Sequence, residues 1–213
     1  SNSKNYGDGF TTMYGANHED IAYSYRTGNH GDGSWYSING NIDYQRTSRK
    51  NKQRMITFSY KINTQPQTSN SNTGYEDIHA KEEVDDLVKR LLLKNSQSDG
   101  KTNTMEQTFQ VDYTTPIGEL HTVEAGAKYI FRCNTSDNKL YEAAGGSDDY
   151  LYNEDRSSDY RHLNHILAAY LGYTLKYKDF TFKPGVRYEQ TVQRVKYIVG
   201  PGENFHTNFS DLV

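Results

Sequence analysis

The sequence predicts an all-β fold, an antiparallel up-and-down meander of about seven to eight long strands that forms part of a transmembrane β-barrel. Three observations support this prediction. Apolar and polar residues alternate along most of the chain, 19 tyrosines and 17 glycines occur although only 34% of the residues are hydrophobic, and short connections alternate with long ones. The first observation indicates strands, the second disfavours a conventional globular core, and the third is typical of a membrane barrel.

The first half of the chain contains three segments with a period of two. A short strand is predicted around Ile21, Tyr23 and Tyr25. It is followed by residues 36–45 and 55–62, in which the apolar residues occupy even positions. Since successive side chains of a strand point to opposite faces, both segments have one apolar and one polar face.

The long connection over residues 65–103 contains the one helical signal of the sequence. Apolar residues at three- and four-residue spacing follow two glutamates there: Val84, Leu87, Val88, Leu91 and Leu92. Such spacing places side chains on one stripe of a helix. We therefore expect 65–103 to be a long extracellular loop with one short helix, over about 78–94, that folds back over the barrel mouth.

The second half of the chain repeats the alternation. Four strands and a partial one are predicted at 105–113, 123–131, 163–177, 180–192 and 206–213. Short turns are expected at 46–53, 114–119 and 176–179, and long excursions at 65–103, 134–160 and 197–205. Outer-membrane barrels place short turns at one rim and long loops at the other.

Composition excludes several classes of protein. The net charge of −3 comes from basic and acidic residues mixed along the chain, so nucleic acid is not an expected partner. A single cysteine, Cys133, excludes an internal disulfide. No apolar run reaches the roughly 18 residues of a membrane helix. Residues 1–10 do not resemble a signal peptide, so we take Ser1 as a boundary within a longer protein.

The sequence offers weak candidates for chemistry. His162 and His165 are three apart, so in a strand they point to opposite faces and do not share a metal. Cys133 has no nearby base and is expected to be a small residue facing lipid or the barrel rim. The acidic residues Asp148, Asp149, Glu154 and Asp155 lack the spacing of a calcium loop. We therefore expect no catalytic residue, no cofactor and no metal site.

Two segments carry a resemblance to a known family. They are VDYTTPIGELHTVEAGAKYIFR at 111–132 and HILAAYLGYTLKYKDFTFKPGVRYEQT at 165–191, and 205–213 is similar to the lead into a further strand. These segments resemble the outer-membrane β-barrel family of TonB-dependent receptors of the Bacteroidetes type. The likeness is clear over about 100–213, weaker over 35–64, and does not extend to the residues before 30.

The resemblance implies a place in the bacterial outer membrane and a barrel of about 22 strands plugged by a separate domain. Residues 1–213 would then be a fragment of the barrel domain, without the plug domain and the remaining strands. The implied function is nutrient uptake, of an iron chelate or a glycan, without catalysis. The implied partners are outer-membrane lipid, the receptor's own plug domain, a TonB-type energy-coupling protein and, as a further candidate, a surface lipoprotein.

The alternation assigns candidate residues to the two faces of such a barrel. Five charged residues are expected to face the lumen, where they would pair with each other: Glu124, Lys128, Arg132, Arg187 and Glu189. Six apolar residues are expected to face lipid: Phe180, Phe182, Val186, Tyr188, Leu167 and Leu171. We expect the fragment to self-associate through its sheet edges, because unpaired strand edges invite pairing.

Two other folds fit part of the pattern. A soluble, tyrosine-rich β-sandwich that binds carbohydrate would keep its apolar face inside and would place long and short connections without order. A complete eight-stranded barrel would pair its first strand with its last.

Overall fold

The computed structural model describes residues 1–15, 20–82, 85–89 and 93–212. These residues form one antiparallel sheet and one short helix. The strands are β1 (Asn2–Tyr14), β2 (Ile21–Trp35), β3 (Ile38–Thr47), β4 (Met55–Ala80), β5 (Lys94–Ile117), β6 (His121–Ala144), β7 (Leu151–Tyr152), β8 (Ser158–Tyr177), β9 (Phe180–Phe182), β10 (Gly185–Val199) and β11 (Phe205–Leu212). The predicted all-β antiparallel meander is confirmed.

The sheet follows the chain from one edge to the other. Its strand order is β1, β2, β4, β5, β6, β8, β10 and β11, with β3 paired to β4, β7 to β6 and β9 to β8. Among the described strands, β1 and β11 have no neighbour on their outer side, so the sheet is open. The chain therefore crosses the sheet eight times, because β3 continues β2 and β9 leads into β10.

The division between β2 and β3 has a local cause. Both strands pair with β4. β2 pairs with residues 67–80 of β4, the half nearer the long connections, which we call the outer half, and β3 pairs with residues 55–64, the inner half. Between them, the amide of Tyr36 donates to the carbonyl of Pro66 over 3.3 Å. Because proline has no N–H, β4 cannot return that hydrogen bond, and the ladder is interrupted at this point.

Tight turns close one end of the sheet. Gly118 (φ 71°) lies between β5 and β6, and Lys178 (φ 51°) lies between β8 and β9. Positive φ suits the turns of two- and three-residue hairpins and costs least for glycine. The predicted short turns are therefore present at 118–120 and 178–179, and the third connection at this end spans residues 48–54.

The long loop expected at 65–103 is largely strand. β4 continues to Ala80 and β5 begins at Lys94, and these outer halves pair with each other from Thr73↔Ser96 inwards. The excursions expected at 134–160 and 197–205 are shortened in the same way by β6, β8 and β10. Both faces of these extensions are polar, so the hydrophobic period that marks a strand is lost although the backbone pairing continues.

The predicted helix over about 78–94 is also corrected. Ile78 belongs to β4 and Lys94 to β5, and within the described part of this segment α-helix is present only at α1 (Asp85–Leu87). Residues 83–84 and 90–92 lie outside the described residues. Pairing with the neighbouring strands satisfies the backbone at residues 78–80 and 94, so a helix cannot extend to these ends of the segment.

A strand that the sequence did not predict opens the chain. β1 pairs with β2 from Asn2↔Ser34 to Tyr14↔Ile21. Its sequence is polar and rich in glycine, without apolar alternation. Its position at the outer end of the sheet, where both faces meet water, explains the missing signal.

Few side chains are buried in this sheet. The most buried of the described apolar residues are Val88, at 1% exposure, and Leu93 and Ala168, each at 4%. No helix within the described residues is long and apolar enough to cross a membrane. Apolar side chains of β3, β4, β5, β6, β8 and β10 are instead exposed on one face of the sheet.

Candidate functional site

The pairing register gathers the apolar residues of six strands on one face. Directly opposed residues of neighbouring strands share a face, and the register runs Tyr44↔Phe58↔Val111↔Ala127↔Ala169↔Tyr188. We call this side of the sheet the apolar face. It is exposed, and it includes a shallow trough of about 470 Å³ lined mainly by aromatic and aliphatic side chains.

All six candidates for lipid contact lie on the apolar face. Val186 is opposite Leu171, Gln190 is opposite Leu167, and Phe182 is opposite Leu175. The six side chains are between 44% and 60% exposed: Phe180, Phe182, Val186, Tyr188, Leu167 and Leu171. An exposed apolar face of this extent is typical of a surface that contacts another apolar surface. Contact of these residues with lipid remains a prediction.

The five charged candidates lie together on the opposite side, which we call the polar face. Glu189 and Lys128 are both opposite Ala168, and Arg187 is opposite Tyr170. Arg187 pairs with Glu189 on its own strand, Nη2 to Oε2, over 2.6 Å. The register thus brings the candidates to one face, as the alternation predicts.

Two further ion pairs connect the polar face across strands. Arg132 Nε lies 2.6 Å from Oε2 of Glu106 on β5, and Lys183 Nζ lies 3.0 Å from Oε2 of Glu124. Lys128 has no ion-pair partner within the described residues. Two of the five candidates, Arg132 and Glu124, therefore pair with residues that the sequence did not single out, because strand register cannot be read from alternation alone.

A tyrosine crosses one whole strand of the polar face. Asp112, Gly126 and Tyr170 occupy directly opposed positions on β5, β6 and β8. The Tyr170 hydroxyl donates to Asp112 Oδ1 over the top of Gly126. A Cβ at residue 126 would lie 2.5 Å from the ring, so only glycine leaves room for this contact. The glycine at position 126, within the family-like segment 111–132, therefore has a packing reason.

The apolar side chains form a band across the apolar face, which we call the apolar band. In the outer strand halves beyond this band, the polar face carries mainly uncharged residues, and the other side of the sheet carries charged ones. On the polar face, positions of the outer strand halves are hydroxyl, amide or glycine residues: Asn29, Gly31, Ser69, Ser71, Thr73, Ser96, Ser98, Gly100, Thr102, Asn134, Ser136 and Asn138. Thr73 donates to Asn29 over 2.9 Å, and Ser98 donates to Asn138 over 3.0 Å. The apolar-face side carries mixed charges at the same height, including Asp99 and Lys139.

An ionic cluster closes the outer end of the polar face, well outside the apolar band. Glu142 on β6 is only 10% exposed and lies 3.6 Å from Lys94 Nζ. Arg156 Nη1 and Asn153 Nδ2 also donate to its carboxylate. Burial by itself raises the pKa of Glu142, but the hydrogen bond from Asn153 and the charges of Lys94 and Arg156 outweigh it and lower the pKa below 4.5.

The weaker candidates are dispersed as expected. His162 is opposite Val195 and His165 is opposite Val192, so the two rings lie on different faces. Cys133 lies on the apolar face and is 7% exposed. Within the described residues, no group of three His, Cys, Asp or Glu side chains could hold a metal ion. The site is therefore a two-faced wall, suited to separate an apolar phase from an aqueous one.

Comparison with solved structures gives distant resemblances to outer-membrane receptors. They include the ferric citrate transporter FecA in the unliganded form (12% identity, TM-score 0.38, covering 99% of this chain and 38% of that one). The ferric preacinetobactin receptor BauA from Acinetobacter baumannii gives 10% and 0.42, covering 89% and 28%. The alcaligin outer membrane receptor FauA from Bordetella pertussis gives 14% and 0.33, covering 99% and 40%.

This chain therefore spans less than half the length of these receptors. No curated protein matches it in sequence. The sequence model described as the outer membrane protein beta-barrel family matches residues 46–213, which is well over half of the chain. With its open antiparallel meander and exposed apolar face, the chain belongs to the outer membrane protein β-barrel family, whose place is the bacterial outer membrane.

Proposed function

We propose that this chain is part of the barrel wall of a TonB-dependent receptor that takes up a nutrient and performs no catalysis. One observation carries the proposal. A single sheet has an exposed apolar face, and directly behind the apolar band its other face carries charged residues. Outside that band the other face carries mainly uncharged polar residues. Such a sheet suits contact with lipid on one side and a water-filled lumen on the other.

The exposure of the apolar face also separates this proposal from a soluble sandwich. A carbohydrate-binding sandwich would pack its apolar face against a second sheet. Here Ile42 is 70% exposed and Leu171 is 53% exposed, and the described strands form one sheet. A complete eight-stranded barrel is disfavoured because β1 and β11 are not paired with each other.

The partners belong to the same proposal. In the outer membrane the apolar face would contact lipid, and the polar face would surround the plug domain of the receptor. A TonB-type protein would supply energy, and a surface lipoprotein is a further candidate partner above the rim. Membership of the Bacteroidetes type stays a prediction from the sequence motifs at 111–132 and 165–191.

Between the two solute classes, the outer polar face favours a glycan. Its hydroxyl and amide groups, such as Ser71, Ser98 and Asn138, offer hydrogen bonds to sugar hydroxyls without a net charge. An anionic iron chelate would be held better by cations, because hydrogen bonds between ionised groups are about twice as strong as neutral ones. The cations of this face lie instead beside the band of apolar side chains, as Lys128 and Arg132 do, or in the ionic cluster around Glu142.

Uptake by the receptor that contains this segment tests the proposal. Cells with and without the energy-coupling protein would be offered labelled oligosaccharides and labelled ferric chelates in parallel. We expect uptake of oligosaccharides only in cells that have the coupling protein. Equal uptake in both strains would contradict energy-coupled transport, and coupled uptake of chelates alone would contradict the preference for a glycan.

A further inference from the structure

Three cations border the apolar face at its outer end. Lys196 on β10 is directly opposite Arg161 on β8, and Arg194 lies two residues before Lys196 on the same face. All three side chains are exposed. Within the described residues, none of the three forms an ion pair. We call these three residues the basic cluster.

The basic cluster lies where the apolar band ends. Towards the short turns, the next residue on this face is Leu163 on β8, beside Arg161, and Val192 on β10, beside Arg194. The end of the sheet with the longer connections faces the cell exterior in barrels of this kind. The cluster is therefore at the height of lipid head groups in the outer leaflet.

The arrangement is unfavourable without a counter-ion. Like charges directly opposite each other on neighbouring strands destabilise a sheet. The acidic residues on the same side, Asp159 and Asp137, are one step further from the apolar band, and Asp137 already lies 3.9 Å from Lys139. His206, opposite Arg194, adds another nitrogen donor rather than a negative charge.

We propose that the basic cluster binds the phosphate groups of a phosphorylated glycolipid in the outer leaflet, whose acyl chains lie on the apolar face beneath it. Two guanidinium groups and one ammonium group match phosphate oxygens in charge and in donor geometry. Leu163 and Val192 lie where the acyl chains of the same lipid would begin. This inference needs the membrane placement of the chain but not transport, so a failure of uptake would leave it standing.

The proposal is tested by measuring how tightly the chain binds bisphosphorylated lipid A. The measurement uses a detergent without a phosphate head group in a buffer without phosphate. We expect the variant Arg161→Gln/Arg194→Gln/Lys196→Gln to bind this lipid more weakly, by about fivefold for each cation removed. The matched control, Lys4→Gln/Lys101→Gln/Lys139→Gln, removes three exposed cations further from the apolar band on the same side and should bind like the unchanged chain. Circular dichroism would establish that both variants keep their strands.

Three results would overturn the proposal. Equal binding by the two triple variants would show that the basic cluster has no special role. Equal binding of lipid A and its dephosphorylated form would exclude phosphate as the group recognised. Complete displacement of the lipid by inorganic phosphate at equal concentration would show a simple anion site. If the cluster variant loses its strands, Arg161→Lys/Arg194→Lys, which keeps the charge, must retain binding.

Discussion

Gly126 is a position at which the absence of a side chain creates a contact. The ring of Tyr170 lies over it, and the Tyr170 hydroxyl reaches Asp112 on the second strand along. The sequence displays the glycine and the tyrosine, but it does not display that they are directly opposed. That fact depends on register, which turn geometry and neighbouring strands decide together.

We expect Gly126→Ala to destabilise the sheet by about 1 to 3 kcal/mol, because the added Cβ forces the ring of Tyr170 away. Urea unfolding in detergent would measure the loss. Gly172→Ala is the matched control, since a Cβ there would lie 3.6 Å from its nearest neighbour, an ordinary contact.

The Gly126 account also predicts coupling. In the background Tyr170→Ala, Gly126→Ala should cost much less, because the ring that it displaces is gone. Additive losses in the double variant would contradict the contact.

Glu142 should make the stability of the outer end of the sheet depend on pH. Its pKa is lowered in the folded state, so its stabilising contribution is complete above its ordinary pKa of 4.5 and is lost as pH falls through the lower folded value. The protection of the amides around Asn95 and Asn153 against hydrogen exchange, corrected for the intrinsic rate at each pH, should therefore be high at neutral pH and should fall below about pH 4.5.

The variant Glu142→Gln tests the cause of this dependence. It keeps the shape of the side chain but removes the charge that attracts Lys94 and Arg156. We expect its exchange to be faster at neutral pH, by about 1 to 3 kcal/mol of opening free energy, and to change little on acidification. An unchanged acid response in this variant would assign the effect to another group.

At the scale of the strands, the sequence predicts the parts that lie in the apolar band and loses the parts that lie outside it. Residues 105–113 and 123–131 alternate because one face of the sheet is apolar and the other polar, and both are strand. Residues 65–80 and 134–144 are strand too, but both faces are mainly polar there, so apolar and polar residues do not alternate. The helix expected over about 78–94 was too long at both ends of the described part, where residues 78–80 and 94 are strand, and α-helix covers Asp85–Leu87.

The apolar band predicts a difference between adjacent residues of one strand. Leu167→Arg places a charge on the apolar face and should cost about 2 to 4 kcal/mol in a lipid bilayer. Ile166→Arg changes the neighbouring residue, which lies on the polar face. It should cost far less free energy of unfolding, because the charge contacts water or Thr191 on the adjacent strand β10. Unfolding in lipid vesicles would compare them, and equal losses would contradict the assignment of faces.

At the scale of the whole molecule, the open edges predict association. β1 and β11 each have one unpaired side within the described sheet. Because such edges offer free N–H and C=O groups, we expect the chain to form dimers or larger species in detergent. The variant Asn208→Pro/Ser210→Pro, which breaks β11, should shift sedimentation towards the monomer. The alternation of apolar and polar residues does not identify the strands that form the edges, whereas the topology does.

The central claim is that one face of the sheet meets lipid and the other meets water. A nitroxide label placed singly at residues 186–192, in a Cys133→Ser background and in lipid bilayers, measures this directly. We predict that labels at even positions collide mainly with dissolved oxygen and those at odd positions with a water-soluble nickel chelate. Labels at even positions that are shielded from both reagents, or no alternation at all, would contradict the account.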